Sequence, residues 1–400
     1  MELFKNTNYD FLGKKWPFII ASLVLTGIGF GSLAMRGGPR YGIDFRGGTK
    51  MYVKFQDKPQ VDKIRSALGA KVSGEISVVE IADTVSTKNE VMIDTELREE
   101  RELDAARKGM VDALNTTFGQ STGKLDINNA GQQALAERLR DPLARAGASL
   151  GDQQLLDLTK AILTYRDTPP RSGLIKSFDE LSGVTGVTPQ VIAAMNQELY
   201  TAPFSIRTVE VVGPKVGGEL KQQAILATLY ALGGMLIYIA FRFEWIYGVA
   251  AVVAVFHDTL ITIGLFSVFD KEISLTTVAA LLTLVGYSMN DTIVVFDRIR
   301  ENLKLLRREK LEALINLSVN QTLSRTILTS GLTLLTALSL WLFGGQVLNG
   351  FSFALVVGII VGTYSSVFIA SPLLVFWQNY TESRKPAVAA APAPKAKAAK

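Results

Sequence analysis

Five stretches of this 400-residue chain, 16–35, 222–241, 245–269, 273–296 and 326–381, are almost free of charge, and their lengths constrain the fold more than any other feature. A helix rising 1.5 Å per residue needs about 20 mostly apolar residues to cross a hydrocarbon core roughly 30 Å thick. Each of the first four stretches is one such length. The last is too long for a single helix, and the Gly/Asn-rich segment 344–350 inside it predicts a turn that splits it. Six transmembrane helices follow. The composition agrees, with 48% hydrophobic residues, 20% charged and a mean hydropathy of +0.24, so a purely soluble protein is excluded. Stretch 16–35 is longer than the apolar core of a signal peptide, and 32–36 offers no small-x-small cleavage site, so it is expected to remain as an anchor.

Lys5, Lys14, Lys15, Arg242, the run from Arg298 to Lys310 and the basic tail all fall on one side of such a bundle, while the short loops opposite carry only Lys271. By the positive-inside tendency both termini are expected in the cytoplasm, with residues 36–221 on the far, periplasm-like face. The net charge of +5 is therefore a topology signal, and no nucleic-acid partner is expected. The expected division is 1–15 cytoplasmic, 16–35 first transmembrane helix, 36–221 periplasmic domain, 222–377 transmembrane helices two to six, and 378–400 a disordered basic tail.

Within 36–221 the glycine-rich 41–49 predicts a turn, and 51–55 alternates as a strand. A helix at 59–70, strands at 75–81 and 90–95 separated by Ser86-Thr87-Lys88-Asn89, a helix at 99–118 and a strand at 204–212 complete the order β-α-β-β-α-β. That order is the ferredoxin-like split βαβ unit. Residues 119–200 interrupt it as a helical insertion, with an amphipathic helix at 150–165 and a segment at 177–189 resembling a helix-hairpin-helix turn. The predicted class is thus an α-helical membrane protein of six transmembrane helices with a periplasmic α+β ferredoxin-like domain carrying a helical insertion.

No cysteine and one histidine leave no thiol nucleophile, disulfide framework or His-rich metal cluster. There is no G-x-x-x-x-G-K-[ST] sequence, and 213–218 lacks the strand-to-helix context of a phosphate loop. Neither enzymatic activity, nor a metal, nor a cofactor is expected.

Ionisable groups inside spans are unfavourable by roughly 2.5 to 3.5 kcal/mol each on insertion scales, so they ask for a reason. Asp291 lies six residues before Asp297 in the fourth span, about 9 Å inside its cytoplasmic end. Thr283, Tyr287, Asn290 and Asp291 share one helical face. The fifth span opens near Asn320 and carries a stripe of Thr322, Arg325 or Thr326, Thr329, Thr333 and Thr336. Running antiparallel from the same side, it predicts an Asp291–Arg325 pair, either a static brace or a group that takes up and releases protons as conformation separates and joins it. His257 and Asp258, with Thr262, add a mid-membrane group in the third span: a relay, a pore lining or a brace.

Taken together, Gly42-Ile43-Asp44-Phe45-Arg46-Gly47-Gly48, Val212-Gly213-Pro214-Lys215-Val216-Gly217, Phe256-His257-Asp258, the run from Gly286-Tyr287-Ser288-Met289-Asn290-Asp291-Thr292 to Glu301, and Ser324-Arg325-Thr326 resemble the SecF subunits of the bacterial SecD/SecF preprotein translocase accessory complex. The resemblance covers 1–95 and 203–380. It implies membership in the resistance-nodulation-division superfamily, a place in the bacterial inner membrane among its lipids, pairing with SecD, association with the SecYEG channel, and use of the proton-motive force to pull exported unfolded polypeptides. It also assigns Asp291 and Arg325 to the proton path. The insertion 119–200 and the Ala/Pro/Lys tail depart from the family pattern. A passive translocon scaffold and a proton-coupled efflux transporter of the same superfamily are the alternatives; one outside domain on six spans is half of the efflux layout.

Overall fold

The computed structural model describes residues 7–72, 74, 76–81, 89–96, 99, 102–119, 123–148, 150–242 and 245–383. Lys5, Glu75, Ser86-Thr87-Lys88 and the tail from 384 onward lie outside the described residues. Helix α1 (Lys15–Met35) is followed by a connector holding the four-residue helix α2 (Ile43–Arg46), where a turn was expected. Then come β1 (Gly48–Phe55), α3 (Val61–Gly69), β2 (Ile76–Glu80), β3 (Glu90–Thr95) and α4 (Leu103–Phe118). The insertion supplies β4 (Leu125–Asp126), α5 (Gln132–Arg145), α6 (Asp152–Asp167), a 3₁₀ turn (Phe178–Gly183), α7 (Pro189–Glu198) and β5 (Leu199–Tyr200) before β6 (Phe204–Val212) closes the domain. The order β2-β3-β1-β6 with every pairing antiparallel is the ferredoxin-like sheet. Its apolar face, Met51, Val53, Val91, Ile93 and Phe204, is buried against Ile64 and Leu68 of α3 and Met110 and Leu114 of α4.

The insertion has its own core, built on Leu135, Leu139, Leu155, Ile162, Leu181, Val191 and Met195. The hairpin-like segment is one 3₁₀ turn leading into α7, whose start Thr188 caps by accepting from the Val191 N–H. Asn129 ties the insertion to the edge of the sheet, donating to Phe204 O (3.2 Å) and accepting from the Ile206 N–H (2.7 Å). Because the two cores are separate, replacing 119–200 by a short Gly/Ser linker is expected to leave the sheet folded, the added loop entropy being small. A cooperative thermal transition of the shortened protein in detergent would show this; loss of the transition would refute it.

The bundle continues with α8 (Pro214–Arg242), α9 (Trp245–Val268), α10 (Leu275–Leu305), α11 (Leu311–Phe343), α12 (Gly345–Ser365), a π-helical turn (Ser366–Ala370) and α13 (Ser371–Ser383). With α1 these form six helical segments long and apolar enough to cross a membrane. Several ends differ from the charge-free lengths read from sequence. Helix α8 begins at Pro214 because proline is pre-set for a first helical turn, so 214–221 belongs to a helix and not to the domain. Helices α10 and α11 run on through Arg298–Leu305 and from Leu311, since Lys, Arg and Glu are good helix formers once outside the hydrocarbon. The turn expected over 344–350 is confined to Gly344 and Gly345, the latter at φ +72, a left-handed conformation glycine adopts without strain. Helix α1 lies against α9 where Gly29 faces Gly264; a Cβ on Gly29 would sit 2.7 Å from the Gly264 Cα, so only glycine permits this approach.

Candidate functional site in the membrane bundle

Helix α10 carries the polar centre because its residues alternate between two environments. Asp291 is 2% exposed, and Ser330 Oγ of α11 donates to its Oδ2 at 2.9 Å. The expected pair with Arg325 is not formed: no ion pair joins the two, and Arg325 is exposed. The reason is helical geometry. Ser330 and Arg325 are five residues apart, roughly 140° around α11, so the face that meets α10 cannot present both. The single stripe read from sequence is in fact two. Thr322, Thr326, Ser330 and Ala337 are buried, whereas Arg325, Thr333 and Thr336 face outward.

On α10, Thr283 and Asn290 likewise face outward, and Tyr287 lies half-buried between them and α11. The chain therefore exposes a strip of Asn290 and Arg325 at the depth of its spans, directly beside Asp291, continued by Thr283, Thr333 and Thr336, whose hydroxyls already donate to the carbonyls of Ala279, Thr329 and Leu332. Asp297 is not part of it. It sits at the helix end, more than half exposed, 3.6 Å from Arg242, a separation worth little in energy.

Asp258 on α9 has the opposite surroundings. It is fully buried, Ser288 Oγ of α10 and Ser365 Oγ of α12 both reach its Oδ2 (2.6 and 2.8 Å), and His257 Nδ1 lies 2.9 Å from its Oδ1. Gly362 lies against this clamp, where a Cβ would stand 3.0 Å from the Ser288 Cβ and 3.5 Å from Asp258 Oδ2. Three contacts from three helices make Asp258 a hub of the bundle, while Asp291 accepts one hydrogen bond, from Ser330. Ser288, Ser330 and Ser365 were not singled out from sequence; their signal was a serine on the buried side of each apolar helix.

The two glycine motifs form the joint between domain and bundle. Asp44 Oδ2 accepts from the Leu275 N–H at 2.7 Å and so caps α10, where a negative charge also meets the positive end of the helix dipole. Gly42 N–H donates to Ile273 O (3.0 Å) and Ile273 N–H to Arg40 O (2.7 Å). Gly47 (φ +77) lies against Pro214, where a Cβ would be 2.6 Å from the Pro214 Cα, and Gly213 O accepts from the Gly217 N–H. Gly48 (φ +144) lies against Thr95 O.

Around this joint runs an ion-pair network that the sequence reading missed. Lys50 Nζ meets Glu272 Oε2 at 2.7 Å, Arg40 bridges Glu272 and Asp270 at 3.2 Å each, Arg36 also pairs with Asp270, and Arg46 holds Asp94 at 3.2 Å. Burial by itself pushes the Lys50 ammonium down, but the charge and hydrogen bond of Glu272 outweigh it, leaving Lys50 above the ordinary lysine value of 10.5. Burial, reinforced by Glu272, holds the Asp94 carboxyl above its usual range, and burial pushes the Tyr52 phenol up to about 12. A cation whose value is raised on folding contributes stability that is complete below 10.5 and is lost as pH rises through the raised value. Glu272→Gln is therefore expected to destabilise the joint by about 3 kcal/mol at neutral pH, the range for breaking a buried pair. It should also flatten the alkaline loss of melting temperature in detergent; an unchanged alkaline limb would contradict this.

With the geometry in place, comparison with known proteins is informative. Residues 191–380 match the family model described as protein export membrane protein SecD/SecF, C-terminal, and residues 32–58 match the SecD/SecF GG motif. The chain is 49% identical over 408 aligned residues to the protein translocase subunit SecF of Koribacter versatilis, covering 99% of this chain and 98% of that one. It is 37% identical to the SecF subunit of Calditerrivibrio nitroreducens over 94% and 96%. The crystal structure of SecDF from Thermus thermophilus, a translocon-associated membrane protein, superposes with a TM-score of 0.61 at 32% identity, covering 94% of this chain and 39% of SecDF. A multi-pass membrane protein with this joint, this bundle and end-to-end likeness to translocase subunits, the chain belongs to the SecF family and serves protein export.

Proposed function

We propose that this chain is the SecF half of a proton-driven export motor, completed by SecD and working at the SecYEG channel on exported unfolded polypeptides. The observation that carries the reading is the open polar strip on α10 and α11 beside Asp291. Polar side chains at bilayer depth face protein or water and not lipid, so the strip calls for a second helical bundle. In Thermus thermophilus SecDF one chain supplies a length of which this protein matches 39%, which supports SecD as the source of the missing bundle. In the assembled seam Asp291 exchanges its proton, Arg325 and the threonines of α11 set when it does so, and His257 and Asp258 hold the helices in register. The membrane is the bacterial inner membrane, with the α+β domain in the periplasm and both termini in the cytoplasm, as the Lys/Arg asymmetry favours.

Two measurements test this. A Thr333→Cys chain co-expressed with SecD is expected to cross-link to it in native membranes, and capture of no polypeptide at that position would sink the shared seam. Because the native chain has no cysteine, topology is equally readable. Thr185→Cys should react with an impermeant maleimide in intact cells with a permeabilised outer membrane, and Arg308→Cys only after lysis; the reverse pattern overturns the orientation.

A further inference from the structure

Helix α8 buries little of its surface, and an apolar cavity of about 350 Å³ lies between it and helices α9 and α10. It is lined by Ile225 and Leu229 of α8, Phe256 and Leu260 of α9, and Leu281 and Val285 of α10. The polar atoms in the lining are already occupied: Thr228 Oγ1 donates to Ala224 O and Thr259 Oγ1 to Val255 O, so the cavity offers hydrocarbon alone. Its mouth is different. Lys221 stands there with its ammonium 4.2 Å from the centre of the Tyr41 ring, and among the described residues it forms no ion pair.

We propose that this groove binds a phospholipid of the leaflet on the side of the α+β domain, one acyl chain lying along α8 and the phosphate on Lys221. Three observations converge. The groove runs inward from Lys221 to Leu232, about 16 Å at 1.5 Å per residue, which is half of a hydrocarbon core of roughly 30 Å and so the depth of one leaflet. Its charge is complementary to a phosphate, and its aromatic rim sits at the interfacial level where such rings are favoured. It also lies away from the partner-facing strip: on α10, Val285 of the groove and Asn290 of the strip are roughly 140° apart, so a bundle docked on the strip leaves the groove to lipid. A bound chain would wedge α8 at a fixed angle to the bundle, and α8 begins at the Gly47–Pro214 contact that joins the domain to the membrane.

The test uses the purified full-length protein in phosphatidylcholine vesicles containing phosphatidylglycerol with a diazirine on one acyl chain. After illumination, adducts should concentrate on Leu229, Leu260 and Leu281 relative to Leu23 and Ile28 on the exposed face of α1. Ala224→Trp, which fills the groove, should reduce those adducts about tenfold, equivalent to about 1.4 kcal/mol. Thr228→Phe, one turn deeper, repeats the test should the first variant not fold. Lys221→Gln should retain the acyl adducts and lose the preference for phosphatidylglycerol over a matching phosphatidylcholine probe. Labelling spread evenly over the bundle, or unaltered by both filling variants, overturns the proposal. So does a photoreactive residue at Leu229 that captures a polypeptide in native membranes, since a partner helix would then occupy the groove.

Discussion

Asp291→Asn should leave the protein folded, inserted and bound to its partner while proton-driven export collapses. Asparagine keeps the volume, and its carbonyl still accepts from Ser330 Oγ, so the hydrogen bond that Ser330 makes to this side chain survives. What it cannot do is bind and release a proton. A membrane potential supplies about 2.3 kcal/mol per charge per 100 mV, so losing one coupled proton removes roughly fiftyfold of drive at that potential. The measurement is export of a secreted precursor into inverted vesicles energised by a proton gradient, alongside the ATP-only rate, which should not change. Full gradient-stimulated export by the variant would favour the passive scaffold. Asp258→Asn provides the contrast. Its three contacts make it a structural hub, so its expected effect is a lower melting temperature and not a selective loss of the gradient-dependent component.

The contrast between the two aspartates also shows where sequence reading stops. Spans, the β-α-β-β-α-β order and the positions of Asp258 and Asp291 are legible because hydrophobic period and charge count are properties of single segments. Pairing is not. The stripe on α11 reads as one face since threonines recur at both three- and four-residue steps, and only the packed α10 decides that Ser330 faces inward and Arg325 outward. The Lys50–Glu272 contact joins a strand to a loop between spans, residues 222 positions apart, and nothing local to either announces it. The glycine motifs were visible as motifs, but their reason, backbone lying on backbone at Pro214 and Thr95, exists only in three dimensions.

Gly48→Val is expected to have the largest effect on stability, because it fails on two independent counts. Gly48 has φ +144, a conformation that strains any side chain by roughly 1 to 3 kcal/mol. A Cβ there would also stand 2.0 Å from Thr95 O, inside the β1–β3 ladder where Thr49 pairs with Thr95, while Gly48 itself pairs with Val212 of β6 on its other side. Overpacking of that kind adds roughly 1 to 3 kcal/mol, and the clash is with backbone that cannot rotate away. A total near 4 kcal/mol is a large fraction of the roughly 5 to 15 kcal/mol that holds a typical protein together. Gly38→Ala separates the two contributions: its φ of +127 is equally unfavourable, but nothing lies within 4 Å of the new Cβ. It should therefore lose only the strain component. Thermal unfolding of both variants in detergent, with proteolysis of the joint between Arg36 and Phe55 as a local probe, reads the difference. The two variants melting together would mean that the contact with Thr95 contributes nothing, and the account of the joint as a backbone-on-backbone lock would have to be abandoned.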